Sequence, residues 1–115
     1  MQLADYWNSL VERCGLILKD GTIVELVNTH PHPAENFSFS KEEFNKYPTC
    51  VATWHTHPRG NSNLTPEDYK AFLNYPEFFH YIVGDGTIWG FYVEEGRVFL
   101  YEDGDVSGAT SGEVS

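Results

Sequence analysis

Helical and strand periodicities alternate along this chain, and together they predict an α+β domain in which helices alternate with mostly antiparallel strands. Three observations carry that prediction. Short β-rich apolar runs are separated by Asp20-Gly21, Asp85-Gly86 and Glu94-Glu95-Gly96, which are hairpin-type turn sequences. Leu3, Tyr6, Trp7, Leu10 and Val11 recur at helical spacing near the start. Thr65-Pro66-Glu67-Asp68 combines a capping hydroxyl, a proline suited to the first helical position and acids at the positive end of a helix dipole.

In order along the chain, the first dozen residues read as an amphipathic helix packed on the core, with Gly15 just past its end. Cys14 to Lys19 and Thr22 to Val27 form two β-rich runs across Asp20-Gly21, a two-residue hairpin signal. Prolines, Asn and Ser mark Asn28 to Ser40 as a loop. Ser40 to Tyr47 predicts a short helix, with Ser40 as cap, Glu43 three residues on and Pro48 as its stop. Thr49 to His57 is a β-branched, apolar strand, followed by a loop over Pro58 to Asn63. The helix opened by Thr65 runs to about Asn74, and Phe78 to Val83, Thr87 to Val93 and Arg97 to Tyr101 are three further strands. Beyond Glu102 large apolar residues vanish. We therefore expect one domain over residues 1–102 and a disordered tail over 103–115.

Composition narrows the function classes. With 41% apolar residues in 115, the chain can bury a core as a single domain. A formal net charge of −10 has the wrong sign for neutralising phosphates or sitting on an anionic membrane, so nucleic-acid and membrane-surface roles are not expected. The apolar runs fall far short of the roughly 20 residues of a spanning helix. No basic start with an apolar core marks a signal peptide, and the expected location is a cytoplasm. Cys14 and Cys50 then read as reduced thiols buried in strands, without a catalytic role.

The residues that carry chemistry lie around the fifth predicted element. His55 and His57 end a strand, where alternation sends both imidazoles to one side, about 6 to 7 Å apart along the chain. One ion can sit between them. Asp68 follows eleven residues after His57 in the first turn of the next helix, a position that favours a carboxylate. Two imidazoles and one carboxylate leave a fourth tetrahedral position for water, as in a catalytic rather than a structural zinc site. A lone His-x-His would read as a chance pair on a surface loop, but here the pattern is longer: His55-Thr56-His57-Pro58, six residues, Thr65, two residues, Asp68.

That pattern resembles the signature of the JAMM (MPN/Mov34/JAB) zinc metallopeptidases, in which His-x-His-Pro is followed after six residues by Ser-x-x-Asp. Glu12-Arg13-Cys14-Gly15-Leu16-Ile17 looks like the Glu-x-Cys-Gly-Leu segment of the family's first strand, and Phe79 to Val83 like the strand after its metal helix. The likeness covers roughly residues 10 to 93. It is greatest to the JAMM half of lambda-type phage tail-assembly proteins and to free-standing prokaryotic relatives. The resemblance implies a curved sheet flanked by helices, related to the cytidine-deaminase architecture. It also implies one Zn²⁺ on His55, His57 and Asp68, and Glu12 as general base. Zinc would lower the pKa of bound water and polarise a carbonyl, while Glu12 takes the water proton and returns it to the leaving amine.

The partners so implied are a protein or peptide, such as a ubiquitin-like protein or a phage tail component, in a bacterial or phage-infected cytoplasm or a virion tail. One position departs from the family pattern. Thr65 stands where Ser is usual, and its hydroxyl can still donate to an oxyanion or cap the helix, although the methyl restricts its rotamer. Ser62 is an alternative donor with the wrong spacing to Asp68.

Other readings compete with this one. Glu25 and Glu35 are weaker candidates for the base, lying in the hairpin's second strand and in the loop. His80, inside an aromatic strand, reads as a satisfied core or surface histidine. There is no His-Glu-x-x-His helix, and the Pro-Cys-x-x-Cys half of the nucleotide deaminase signature is absent. A non-catalytic MPN-type scaffold is the rival from another class, yet such members usually lose the ligands that are present here.

His30-Pro31-His32-Pro33, six residues, Ser40, two residues, Glu43 nearly repeats the spacing. Pro31 and Pro33 argue against a central strand that would aim both imidazoles at one point, so this echo is expected to be a loop or a rim that meets substrate. Changing both His30 and His32 to Ala should leave metal content intact. Metal analysis showing loss in that variant, with His55→Ala unaffected, would put the site in the first repeat instead.

Overall fold

A computed structural model describes residues 2–28, 41–58 and 64–101. His30, His32, Glu35, Ser40, Ser62 and the segment 103–115 fall outside them, and with them the expected cap at Ser40, the echo and the tail. Within the described residues the fold is mixed α/β: a six-stranded sheet with two short α-helices. The strands are β1 (Cys14–Leu18), β2 (Ile23–Leu26), β3 (Cys50–Thr56), β4 (Phe79–Val83), β5 (Ile88–Glu94) and β6 (Arg97–Tyr101). Their order is β2-β1-β3-β4-β5-β6, antiparallel throughout except for the parallel pair β3 and β4. That pair needs a crossover. The connection supplies α2 (Pro66–Leu73), whereas α1 (Lys41–Asn45) precedes β3.

The turns follow the backbone freedom of their glycines. In the first hairpin Leu18 N–H donates to Thr22 O at 2.9 Å and Gly21 N–H to Leu18 O at 2.8 Å, with Gly21 at φ +91°. The loop is thus three residues long, Lys19 to Gly21, one more than the Asp-Gly signal predicts. Asp20 accounts for the difference, because its Oδ1 accepts from Thr22 N–H at 2.9 Å and favours a turn closed by a left-handed glycine. The β5–β6 hairpin closes at Glu94↔Arg97 with Glu95 and Gly96 both at positive φ, the two-residue geometry that matches strand twist.

The N-terminal helix is the clear correction. Only Leu3–Tyr6 winds, as a 3₁₀ turn, and Trp7 is already extended at φ −68°, ψ 139°. Asn8 explains the break: its side-chain oxygen accepts from the N–H groups of Leu10 and Val11 at 2.8 and 3.0 Å, replacing the helical acceptors. Leu10 is left 76% exposed, so the apolar spacing does not describe a buried face.

An eight-residue helix is not stable alone, and α2 is held by what it buries. Phe72 packs with Ile82, Phe91 and Val98, with Leu64, Tyr69, Val93 and Leu100 around them. On the opposite face Trp54 is fully buried beneath Tyr6, their ring centroids 4.7 Å apart, and Arg13 lies 5.0 Å over the Tyr6 ring. Trp54 faces Gly15 across β1 and β3. A Cβ at Gly15 would fall 1.9 Å from Val24 O and 2.7 Å from Trp54 Nε1, and the carbonyl belongs to a paired strand that cannot yield cheaply.

Gly15→Ala is therefore expected to destabilise the fold by about 3 kcal/mol or more, the upper range of overpacking. Urea unfolding measures it, and a loss below about 1 kcal/mol would show that β1 and β3 separate freely.

Candidate metal centre

Three chain segments meet at one end of the sheet: the end of β3, the start of α2 and the residues before β1. His55 is the penultimate residue of β3 and 1% exposed, while His57 lies just beyond the strand on the same side. Their ring centroids are 5.1 Å apart. Thr56, between them, points the other way and accepts from Arg13 N–H at 2.8 Å, while its own N–H donates to Arg13 O at 2.9 Å. This reciprocal pair continues the β1–β3 ladder past Cys14↔His55 and fixes the segment that carries Glu12.

Asp68 arrives from α2. Thr65 caps the helix: its Oγ1 accepts from Asp68 N–H at 3.2 Å, and its N–H donates back to Asp68 Oδ2 at 3.3 Å. The Asp68 carboxylate is thereby turned toward the histidines, with His55 Nε2 at 3.0 Å from Oδ1 and His57 Nε2 at 3.1 Å from Oδ2. Burial works against its ionisation. His55, by charge and hydrogen bond, and His57 outweigh that effect and hold the carboxyl well below the usual carboxylate range.

Glu12 completes the cluster. Ligand atoms of Glu12, His55 and His57 all lie within 4.8 Å of one another, a group compatible with a metal ion. Glu12 is 7% exposed, and its acidity moves opposite to that of Asp68. Burial raises its pKa to about 7, assisted by the Asp68 charge and opposed by His57. Asn28 Nδ2 donates to its carbonyl at 2.7 Å, and the Trp7 indole donates to His57 O at 2.8 Å. His57 N–H donates in turn to Val83 O at 2.8 Å. Trp7, Arg13, Asn28 and Thr56 were not legible as supports, since each acts through backbone groups that carry no sequence signal.

The group compatible with a metal ion is Glu12, His55 and His57, whose donor atoms lie within 4.8 Å of one another, and Asp68 spans the two imidazoles with one carboxylate oxygen toward each. His55 and His57 supply borderline nitrogen donors suited to zinc among other divalent metals. Thr65 is a helix cap whose hydroxyl accepts from Asp68 N–H. Glu25 forms a two-pronged ion pair with Arg13, at 2.6 Å to both Nε and Nη2, which leaves it unsuited to act as the base. Cys14 and Cys50 are both free, Cys14 buried and Cys50 half-buried, and burial pushes the Cys14 thiol up to about 12. No helix among the described residues is long and apolar enough to cross a membrane. No protein-family model and no curated protein matches the chain.

Glu12 sets a pH dependence whose sign follows from its raised pKa. The folded metal-free protein holds the Glu12 proton up to about pH 7, whereas the unfolded chain releases it near 4.5, so folding loses stability as pH rises through that window. Glu12→Gln removes the penalty. In metal-free protein it should raise the melting temperature more at pH 8 than at pH 4.5, and an equal shift at both would show that Glu12 is not strained by its burial.

Proposed function

We propose that this chain is a zinc-dependent hydrolase of the JAMM type, cutting a peptide or isopeptide bond, with His55, His57 and Asp68 as metal ligands and Glu12 as the proton carrier. The observation that carries the reading is the pairing of carboxyls in one buried cluster. Glu12, His55 and His57 bring donor atoms within 4.8 Å of one another, Asp68 lies 3.0 and 3.1 Å from the two imidazoles, and burial and neighbouring charge push the two carboxyls in opposite directions. Zinc, when bound, supplies a Lewis acid and a water acidic enough to be activated near neutral pH.

The chain's own residues do the rest. Glu12 accepts the water proton at its carboxylate and delivers it to the leaving amine. Keeping Glu12 beside the metal rather than on it preserves the open position that a hydrolase needs. Thr65 Oγ1, already anchored as the cap of α2, is the proposed donor to the developing oxyanion. Burial of His55, Asp68 and Glu12 lowers the local dielectric and strengthens each of these interactions. The matching substrate is an accessible amide in a flexible protein segment, such as the tail of a ubiquitin-like protein or a phage tail component.

Purified protein should carry about one zinc per chain after dialysis, and His55→Ala or Asp68→Ala should remove most of it. Glu12→Gln should keep zinc while turnover on a peptide or isopeptide substrate falls by about 10² to 10⁴. Full turnover in Glu12→Gln would sink its role as base. Loss of zinc in the same variant would make it a ligand.

A further inference from the structure

One buried titratable group takes no part in the proposed reaction. His80, on β4, is 2% exposed, and both of its ring nitrogens are engaged. Nε2 lies 3.0 Å from Tyr75 O, a carbonyl that can only accept, so Nε2 carries the proton. Nδ1 is then the acceptor, and the Thr53 hydroxyl donates to it at 2.7 Å. Burial lowers the ring's pKa to about 4 and keeps it neutral, consistent with one donor and one acceptor nitrogen. Phe72 stacks on the same ring with centroids 4.2 Å apart and planes 9° from parallel, and it stands 6.1 Å from the ring of His55.

These contacts join the two elements that bring ligands to the metal centre. Thr53 lies on β3 two residues before His55 and on the same face, directly across from His80 in the β3–β4 register. Phe72 lies in the last turn of α2, whose first turn carries Asp68, and Tyr75 follows just beyond the C-cap Asn74, its N–H donating to Phe72 O at 3.0 Å. The helix otherwise packs mainly on β5 and β6, away from β3. Being about 12 Å long, it transmits a tilt at its last turn to its first.

We propose that Thr53 and His80 are positioning residues that fix α2 on β3 and so set the separation of Asp68 from His55 and His57. The proposal rests on the reading of those three as metal ligands. An apolar ring at 80 would fill the same space, but it would leave Phe72, and α2 with it, free to slide over that ring. Two directional hydrogen bonds remove that freedom. Supporting interactions of this kind commonly govern metal affinity by about 10- to 100-fold.

The experiment compares Thr53→Val, Thr53→Ser, His80→Phe and the packing variant Phe99→Ala. Zinc affinity is measured by chelator competition, melting temperature by calorimetry, and the side-chain ¹⁵N shifts of His55 and His57 by NMR of metal-free protein. Thr53→Val should weaken zinc binding by about tenfold and move both imidazole signals, and Thr53→Ser, which restores the hydroxyl, should reverse both changes. Phe99→Ala, which removes a ring stacked on Tyr92 with centroids 5.4 Å apart and alternates with Val98 to the face away from Phe72, should lower the melting temperature while leaving affinity and imidazole shifts as in the unaltered protein. The proposal is overturned if Thr53→Val and His80→Phe lower the melting temperature alone. Should the unaltered protein take up no zinc, the metal reading fails by itself. The imidazole shifts of metal-free Thr53→Val still decide the positioning role: moved signals support it and unmoved signals overturn it.

Discussion

An ionised carboxylate that is only 6% exposed survives in a protein interior when donors surround it, and those around Asp68 come from separate parts of the chain. His55 belongs to a central strand, His57 to the loop beyond it, and the Thr65 amide to the start of α2. Each must be in place for the others to be tolerated. The parallel β3–β4 pair follows from the same requirement, because a crossover is what lays a helix N-terminus beside the end of the preceding strand. Asp68 also gains from the positive end of that helix, so the cap and the cluster stabilise the same charge.

Glu12 shows the opposite balance in the same cluster. Asp68 has two imidazoles within 3.1 Å, whereas Glu12 is buried with Asp68 as a like-charged neighbour and only His57 in opposition. Burial therefore dominates, and the carboxyl becomes a base near neutrality. The fold maintains this arrangement at a cost in stability, and backbone ties to Asn28 and Thr56 prevent the segment from relaxing toward solvent. A group kept under such strain is expected where chemistry, rather than folding, sets the residue.

Much of this was legible in the sequence because the signals were local. Six strands, the cap at Thr65 and the shared side of His55 and His57 follow from alternation, turn residues and capping chemistry, each acting over a few positions. The length of the first hairpin loop was not legible, because Asp20 competes for its own backbone. His80 could be read as a satisfied histidine, yet its partners Thr53 and Tyr75 are 27 and 5 residues away, and only the β3–β4 register brings all three together. The supports at Trp7 and Thr56 were equally hidden, since a hydrogen bond to a backbone group leaves no trace in the identity of its partner.

The misread N-terminal helix has a further meaning. Leu3, Tyr6, Trp7, Leu10 and Val11 have the spacing of a helix face, yet the chain abandons that option after Tyr6. A continuous helix would give Asn8 an ordinary exposed role. It would also carry Glu12 on a helical turn instead of leading it straight into β1. By closing its own turn over Leu10 and Val11, Asn8 lets Trp7 reach the carbonyl of His57 and lets Arg13 join the end of β3. Leaving Leu10 exposed is unfavourable by itself, and nothing in the packing of the first strands requires it. The local rule fails where Glu12 must be delivered to the histidines, which is where a mismatch between propensity and structure is expected if the cluster is a functional site.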